Sequence, residues 1–411
     1  MPADPEPDGP DLQPVRRLRV LFSAYACGPG DEPEANAGWA FATAAAVHHD
    51  VWVITRPRFR AGIDARLAED ATLAQHLTVG YLDLPARVRA LKRHSWDLYW
   101  YYPFWQFALT RRARALHTRI DFDVIHHVTF ANDWLPCGAA YVRGPAFVWG
   151  PVGGASRLPV TRLARWLGVR GTATEVLRIV STAVPRRIWG DGAARRAALV
   201  AAQNPDVATR FRASAARVVV EPNAAFDEPA HPGGARGDGP PVAVFAARLL
   251  AWKGGRLAVE AMAHPLLADW RLDVYGTGYE EHALRSKVRT LGMADGVHFL
   301  GHRPREQLLA ALASADALLF PSMHDQAGWV AAEASAMGCP VVCLPLGGPP
   351  VLAGPNARVV SLEGDLVENL AVELDRAKRE RGIPHQRWTT DRLPSLLKGW
   401  YAEATARSSN P

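Results

Sequence analysis

Arg248 and Lys253 stand five residues apart, where an apolar strand, VAVFAAR, gives way to the next helix, AWKGGRLA. Two fixed cations at a strand's carboxyl end, with the free amides of a helix N-terminus, make a site for a diphosphate. Further on, PSMHDQAGWVAAEASAMGCPVV ends a strand at Pro321, carries His324 and Asp325 in a loop, and opens a helix at Gly328. The amides of Gly328, Trp329 and Val330 are placed to point at an anion. Glu333 follows Asp325 by eight residues, inside that helix. Its neighbours Ala331, Ala332 and Ala334 are small and apolar, so Glu333 reads as a partly buried acid in need of a partner. Its two oxygens suit the diol of a ribose. Gly276 and Gly278 end the strand RLDVYGTG and permit close backbone approach to a ligand. Gly28, Gly30 and Gly38 do the same after the first strand, and Gly150, Gly153 and Gly154 in WGPVGG form a second such loop.

The composition sharpens one of these residues. Lys and Arg total 47, and only Lys92, Lys253, Lys287, Lys378 and Lys398 are lysines. In a chain so poor in lysine, a lysine inside a motif stands out. The net charge of +6 admits an anionic ligand, a membrane surface or nucleic acid. No helix-turn-helix, zinc-finger or RNA-binding signature accompanies it, which disfavours nucleic acid. Cys27, Cys137, Cys339 and Cys343 form no CxxC pair, so they read as packing thiols rather than a zinc site or disulfide framework.

The elements that must hold these residues form an α/β chain. At 411 residues and about 150 per domain, two to three domains are expected. Residues 1–16, opening MPADPEPDGPDLQPV, are acidic and Pro-rich and read as a disordered tail, not as a secretory signal. RLRVLFSAYA, WAFATAAAVHH and VWVITRP make a βαβ unit, the mark of a parallel sheet. DVIHHVTF, AFVWGPVGG and RVVVEPNAAF continue it, giving a first domain over 17–225. Residues 226–240, FDEPAHPGGARGDGP, read as a linker. Strand and helix patterns then alternate again over 241–385. The last segment, 386–411, is helical and amphipathic. Two doubly wound Rossmann-like domains thus face a cleft, with ligands expected at the strands' carboxyl ends. No G-x-G-x-x-G follows either domain's first strand, which disfavours a dehydrogenase. No apolar run approaches the roughly 18 residues that span a bilayer, and a cytoplasmic location is expected.

Taken together, these motifs resemble family 4 glycosyltransferases. Asp325-x7-Glu333, with Gly328 between and EASAMGCPVV after, is similar to that family's Glu-x7-Glu element. Arg248 and Lys253 match its phosphate-binding pair. VHFLGH, with His298 and Leu300, followed by a helix and FPS, matches its nucleotide-binding stretch. SAYACGPG, Gly38-Trp39, HHVT, WGPVGG and HDxxGWV resemble one branch of the family. The resemblance spans about residues 17–405. It implies the GT-B fold, a last helix crossing back to the first domain, and retaining, metal-independent transfer of a hexose-type sugar. The nucleotide-diphosphate sugar is then co-substrate, with no further cofactor. The acceptor is a saccharide, a lipid-linked molecule or a small metabolite. Asp325 departs from the family's usual Glu, and its shorter arm changes how the donor sugar is held.

The resemblance also puts a donor-sugar histidine near the end of DVIHHV. Successive strand residues face opposite sides, so one of His126 and His127 reaches the cleft. His127 is the expected one, with His126 packed behind it. The loops of Gly28, Gly30 and Gly38 and of Gly153 and Gly154 should serve the sugar and the acceptor. Two further stretches bear on partners. LKRHSWDLYWYYPFWQFALTRRARAL is aromatic and basic, and residues 155–200 hold nine arginines against Glu175 and Asp191. They read either as a peripheral surface for the inner membrane or as solvated helices around an aromatic acceptor pocket. A sugar-nucleotide epimerase and a non-catalytic nucleotide-sugar-binding protein are the competing functions.

Overall fold

The computed structural model describes residues 16–30, 32–227 and 239–408. The expected tail, but for Arg16, and most of the expected linker lie outside these residues. Seven strands make the first sheet: β1 (Arg19–Ala24), β2 (Asp50–Thr55), β3 (Leu77–Tyr81), β4 (Val124–Thr129), β5 (Ala146–Val152), β6 (Leu199–Ala202) and β7 (Val218–Val220). Six make the second: β8 (Val242–Ala246), β9 (Arg271–Tyr275), β10 (Val297–Gly301), β11 (Ala317–Phe320), β12 (Val341–Cys343) and β13 (Ala357–Val359). Every neighbouring pair in both sheets is parallel.

The strand orders are β3-β2-β1-β4-β5-β6-β7 and β10-β9-β8-β11-β12-β13. Each order reverses once, between β1 and β4 and between β8 and β11. Such a reversal splays two connections apart and leaves a crevice at the carboxyl ends. Tyr25 and Phe130 sit just past one crevice; Arg248 and Pro321 border the other. The strands are apolar for a physical reason. Helices cover both faces of each sheet, so β4, β5, β11 and β12 are buried along their whole length.

The two domains are joined twice. Phe226 and Thr389 form an isolated parallel bridge, with Phe226 N–H donating to Trp388 O at 3.3 Å and Thr390 N–H to Phe226 O at 3.1 Å. Trp388 packs in the second domain, its indole N–H on Leu352 O at 2.8 Å. Five residues later the terminal helix Leu393–Ser408 lies on the first domain. Leu393, Leu397, Trp400, Tyr401 and Ala404, one stripe at helical spacing, are buried with Val20, Phe22 and Phe41. Full burial of each leucine contributes about 1.5–3 kcal/mol. The Tyr401 hydroxyl also reaches His126 Nδ1 at 2.8 Å, fixing the middle of the helix to β4.

On the opposite side of the first sheet lies the helix Leu98–Ile120, whereas the helix Val160–Pro185, interrupted at Gly168, packs Leu163, Trp166 and Leu167 into the core of the second domain. Trp96, Tyr99, Phe104 and Phe107 are exposed at the start of the first of them. Val169, Leu177, Val180 and Val184 are exposed along the second. Among the described residues no helix is long and apolar enough to cross a membrane.

Candidate active site between the two domains

The cation pair is built by glycine-dependent loops. After β8 the chain turns through Ala251–Lys253, and Gly254 takes φ +80°. A Cβ there would stand 2.1 Å from Pro321 O, so only glycine lets the turn press against the end of β11. Lys253 Nζ consequently meets Asp325 in an ion pair, each side chain 15% exposed. Ser322 Oγ donates to the same carboxylate at 3.2 Å. Arg248 is exposed and has no carboxylate partner among the described residues.

Glu333 is 8% exposed, on the helix Trp329–Ala336 that Gly328 caps at φ +82°. Arg305 Nε donates to Glu333 Oε1 at 2.8 Å. Burial pushes the Glu333 carboxyl above its ordinary value, and the Arg305 charge offsets part of that rise. Arg248, Gly276, Arg303, Arg305, Trp329, Val330 and Glu333 all line one cavity of about 850 Å³. Gly30, Pro33 and Asn36 of the first domain close its other wall. Both domains therefore share the site.

Several expected residues take other places. His298 and Leu300 do not line the cavity. His298 Nδ1 lies 3.4 Å from Asp273 on the edge strand β10, and Leu300 O accepts from Arg303 Nε at 3.0 Å. The register slips between Phe299 and Gly301, and Gly301 turns at φ +71°. That turn carries His302, Arg303 and Arg305 over the cleft instead. Gly278 packs its backbone on Leu249 O, 2.2 Å from where a Cβ would lie, and so braces the Arg248 loop. Gly276 does the same against Ala247 O and lines the cavity as well. Gly28 packs under Phe59, and Gly38 lies against Ala26 O.

Neither histidine of β4 opens on the cleft. His126 is fully buried, held by Tyr401 and by Gly150 O at 2.8 Å. His127, expected to reach the donor sugar, is 1% exposed. Its Nδ1 lies 2.8 Å from Ser23 Oγ and its Nε2 3.3 Å from Tyr102 OH, because the helix Leu98–Ile120 covers that face of β4. Burial drives both rings down, His126 to about 4 and His127 to about 3, so both are neutral near pH 7.

Between the domains, Gln326 joins the loop after β11 to the Gly153–Gly154 loop. Its Oε1 accepts from Gly154 N–H at 2.7 Å and Ser156 Oγ at 3.3 Å, while Asn204 Nδ2 donates to Gln326 O at 2.9 Å. Arg178 reaches His324 Nδ1 at 3.1 Å from the first domain, and burial, then Arg178, lowers that histidine to about 3. Trp329 Nε1 donates to Asn223 Oδ1 at 3.1 Å, and Asn223 in turn meets Glu34 at 3.3 Å. These contacts are 106 to 189 residues apart in the chain. No local pattern announces them. Gly154, His324, Gln326 and Trp329 sit within motifs already described, but what each meets across the cleft does not show in them.

The two domains around a shared cleft define the GT-B architecture. Sucrose-phosphate synthase from Thermosynechococcus elongatus superposes with a TM-score of 0.62 at 16% identity, covering 95% of this chain and 100% of that one. HepE of Anabaena in complex with UDP gives 0.55 at 16% identity, over 94% and 99%. Residues 227–390 match the family described as glycosyl transferases group 1. The 2-deoxystreptamine glucosyltransferase of Streptomyces kanamyceticus is 34% identical over 161 residues, 35% of this chain and 41% of that protein. The D-inositol 3-phosphate glycosyltransferase of Corynebacterium diphtheriae is 30% identical over 158 residues, 34% of this chain and 36% of that protein. The chain thus spans less than half the length of these curated relatives.

Proposed function

We propose that this protein transfers a hexose-type sugar from a nucleoside-diphosphate sugar to an acceptor hydroxyl, with retained configuration. One observation carries the reading: Arg248, Glu333 and the start of the helix at Trp329 share a single interdomain cavity. Arg248 and Lys253 receive the diphosphate, and Glu333 accepts the ribose hydroxyls. As the bond from the anomeric carbon to the diphosphate breaks, negative charge grows on the leaving oxygen. Fixed cations and helix amides stabilise that charge without calling on a metal. The acceptor oxygen bonds the anomeric carbon on the same face and passes its proton to the leaving phosphate. No enzymic nucleophile takes part. Buried His127 then acts by positioning: it supports Tyr102 and Ser23 beneath the cleft and does not touch the sugar. The relatives' names point to acceptors with many hydroxyls, and a small polyol of that kind suits this site.

The test is a thermal-shift panel of nucleoside diphosphates and their sugars, followed by product anomer assignment by NMR. A ligand binding only the native state raises the melting temperature. We expect one donor to raise it and the product to keep the donor's anomeric form. An inverted product, or no stabilising donor, sinks the reading.

The exposed aliphatic row of Val160–Pro185 favours, in addition, peripheral contact with an anionic bilayer. Leu177 and Val180 are each 68% exposed, and Arg162, Arg165 and Arg170 share the helix. Flotation with anionic vesicles is expected to carry the protein up, and neutral vesicles to leave it behind. Equal recovery with both overturns this.

A further inference from the structure

The helix Pro33–His48 opens at the cleft wall, where Pro33 and Asn36 line the cavity and Glu34 stands between them in the chain. Gly38 lies one turn further along the same helix face. A Cβ there would stand 2.5 Å from Ala26 O and 2.7 Å from the Thr129 methyl, so glycine lets this helix press on the end of β4. Glu34 is thereby brought to Phe130, the first residue past β4, where the strand order reverses. Its Oε1 accepts from Phe130 N–H at 2.6 Å. Phe130 takes φ +54°, a left-handed conformation that a bulky side chain rarely adopts. Strain of that kind persists only where the surroundings enforce it, and it gathers at functional sites.

The other oxygen of Glu34 faces the second domain. Oε2 accepts from Asn223 Nδ2 at 3.3 Å, and Asn223 Oδ1 accepts from Trp329 Nε1 at 3.1 Å. Asn223 is 6% exposed, three residues past β7. Trp329 opens the helix Trp329–Ala336 and lines the cavity. The direction of this chain of bonds is fixed from its far end. An indole N–H can only donate, so Asn223 turns its oxygen to Trp329 and its amide nitrogen to Glu34. The Phe130 N–H can only donate as well. Both Glu34 oxygens therefore meet donors, and a carboxylate without its proton satisfies both. No Lys, Arg or His side chain pairs with Glu34 among the described residues. Burial pushes the Glu34 carboxyl above its ordinary value, and the Phe130 N–H offsets part of that rise. One bare carboxylate thus holds the strained backbone at the first domain's crevice and the head of a helix in the second domain.

We propose that Glu34 is a positioning residue for sugar transfer, holding the crevice at Phe130 in register with the helix Trp329–Ala336 of the facing domain. This rests on the glycosyl-transfer reading. Glu34 acts through Phe130 and Asn223 and does not touch the sugar. The nucleotide is held by the second domain, whereas the acceptor comes to it from the first. A change in their register leaves the nucleotide's own contacts in place but displaces the acceptor hydroxyl from the anomeric carbon. A displacement of about 1 Å is enough to slow such a reaction roughly a hundred-fold.

Glu34→Gln tests this on the full chain. The amide keeps the length, but its nitrogen must confront either Phe130 N–H or Asn223 Nδ2. Turnover is read as nucleoside diphosphate released from UDP-glucose, UDP-N-acetylglucosamine or GDP-mannose with myo-inositol present, and binding as the calorimetric Kd of UDP or GDP. We expect kcat to fall about ten- to a hundred-fold while that Kd moves less than about threefold. Adding Asn223→Asp moves the charge one residue along. The new amide then accepts from Phe130 N–H and donates to the new carboxylate, whose other oxygen takes Trp329 Nε1. This double variant should recover most of the lost turnover and exceed either single variant. Trp329→Phe removes the indole N–H and frees Asn223 to turn over, so Glu34→Gln on that background should have little further effect. Both double variants satisfy every donor again, so both comparisons stand even where Glu34→Gln alone is unstable. Unchanged turnover in Glu34→Gln, a charge-shifted variant no better than the singles, or a Kd that falls away in step with kcat overturns the positioning role and leaves the glycosyl-transfer reading standing. A native chain that releases nothing from any donor overturns that reading and the positioning role with it.

Discussion

Lys253→Met is expected to lower kcat by about a hundred- to a thousand-fold while the fold persists. Removing one preorganised group aimed at developing charge typically has an effect of that order. On the proposed function Lys253 is such a group, with Gly254 and Pro321 fixing its backbone and Asp325 its ammonium. The substitution also leaves Asp325 half of a broken, largely buried pair, which lowers stability by up to about 3–5 kcal/mol. The two effects separate in a double variant. Adding Asp325→Asn removes the orphaned charge, so urea unfolding should recover much of the lost stability while transfer stays absent. Recovery of transfer alongside stability would show that Lys253 serves the fold alone. Steady-state kinetics and urea midpoints on the same preparations decide between them.

Glu333→Gln carries the second large effect, on donor binding. The amide keeps the volume and can still accept from Arg305. It gives up the charge-assisted bonds that a carboxylate offers a ribose diol, a loss of about 1.5–3 kcal/mol. Donor KM and the nucleotide Kd should therefore rise roughly ten- to a hundred-fold. Stability should change little, since the amide fills the same volume and keeps an oxygen for the Arg305 bond. Calorimetric titration of the nucleotide settles the point: an unchanged Kd would remove Glu333 from the donor site.

The expected donor residues stand out in the sequence because they are local: Arg248 with Lys253, and Asp325 with Glu333, are each close in the chain. Of the four, Arg248 and Glu333 line the interdomain cavity, while Lys253 and Asp325 pair with each other. β3, β6 and β13 were not legible. LVAA and ARV are too short to show a period, and only pairing with their neighbours makes them strands. His127 was misjudged because alternation along β4 decides only which side a residue faces. What covers that side is the helix carrying Tyr102. His298 and Leu300 were misjudged because the slip at Gly301 hands the cleft to the residues that follow. The Glu34 chain of bonds escaped for another reason. Glu34 and Asn223 are 189 residues apart, and each looks ordinary until the fold sets Trp329 beside them.

The terminal helix has a consequence for synthesis. As the chain leaves the ribosome, residues 17–225 emerge first and could begin to pair their strands at once. One face of that sheet nevertheless stays bare where Leu393, Leu397, Trp400 and Tyr401 belong. The half of the molecule that is made first is finished last, after the whole of its neighbour has been threaded out. A nascent chain stalled before residue 393 would present Val20, Phe22 and Phe41 to chaperones, and docking of Leu393–Ser408 is the event that retires that surface.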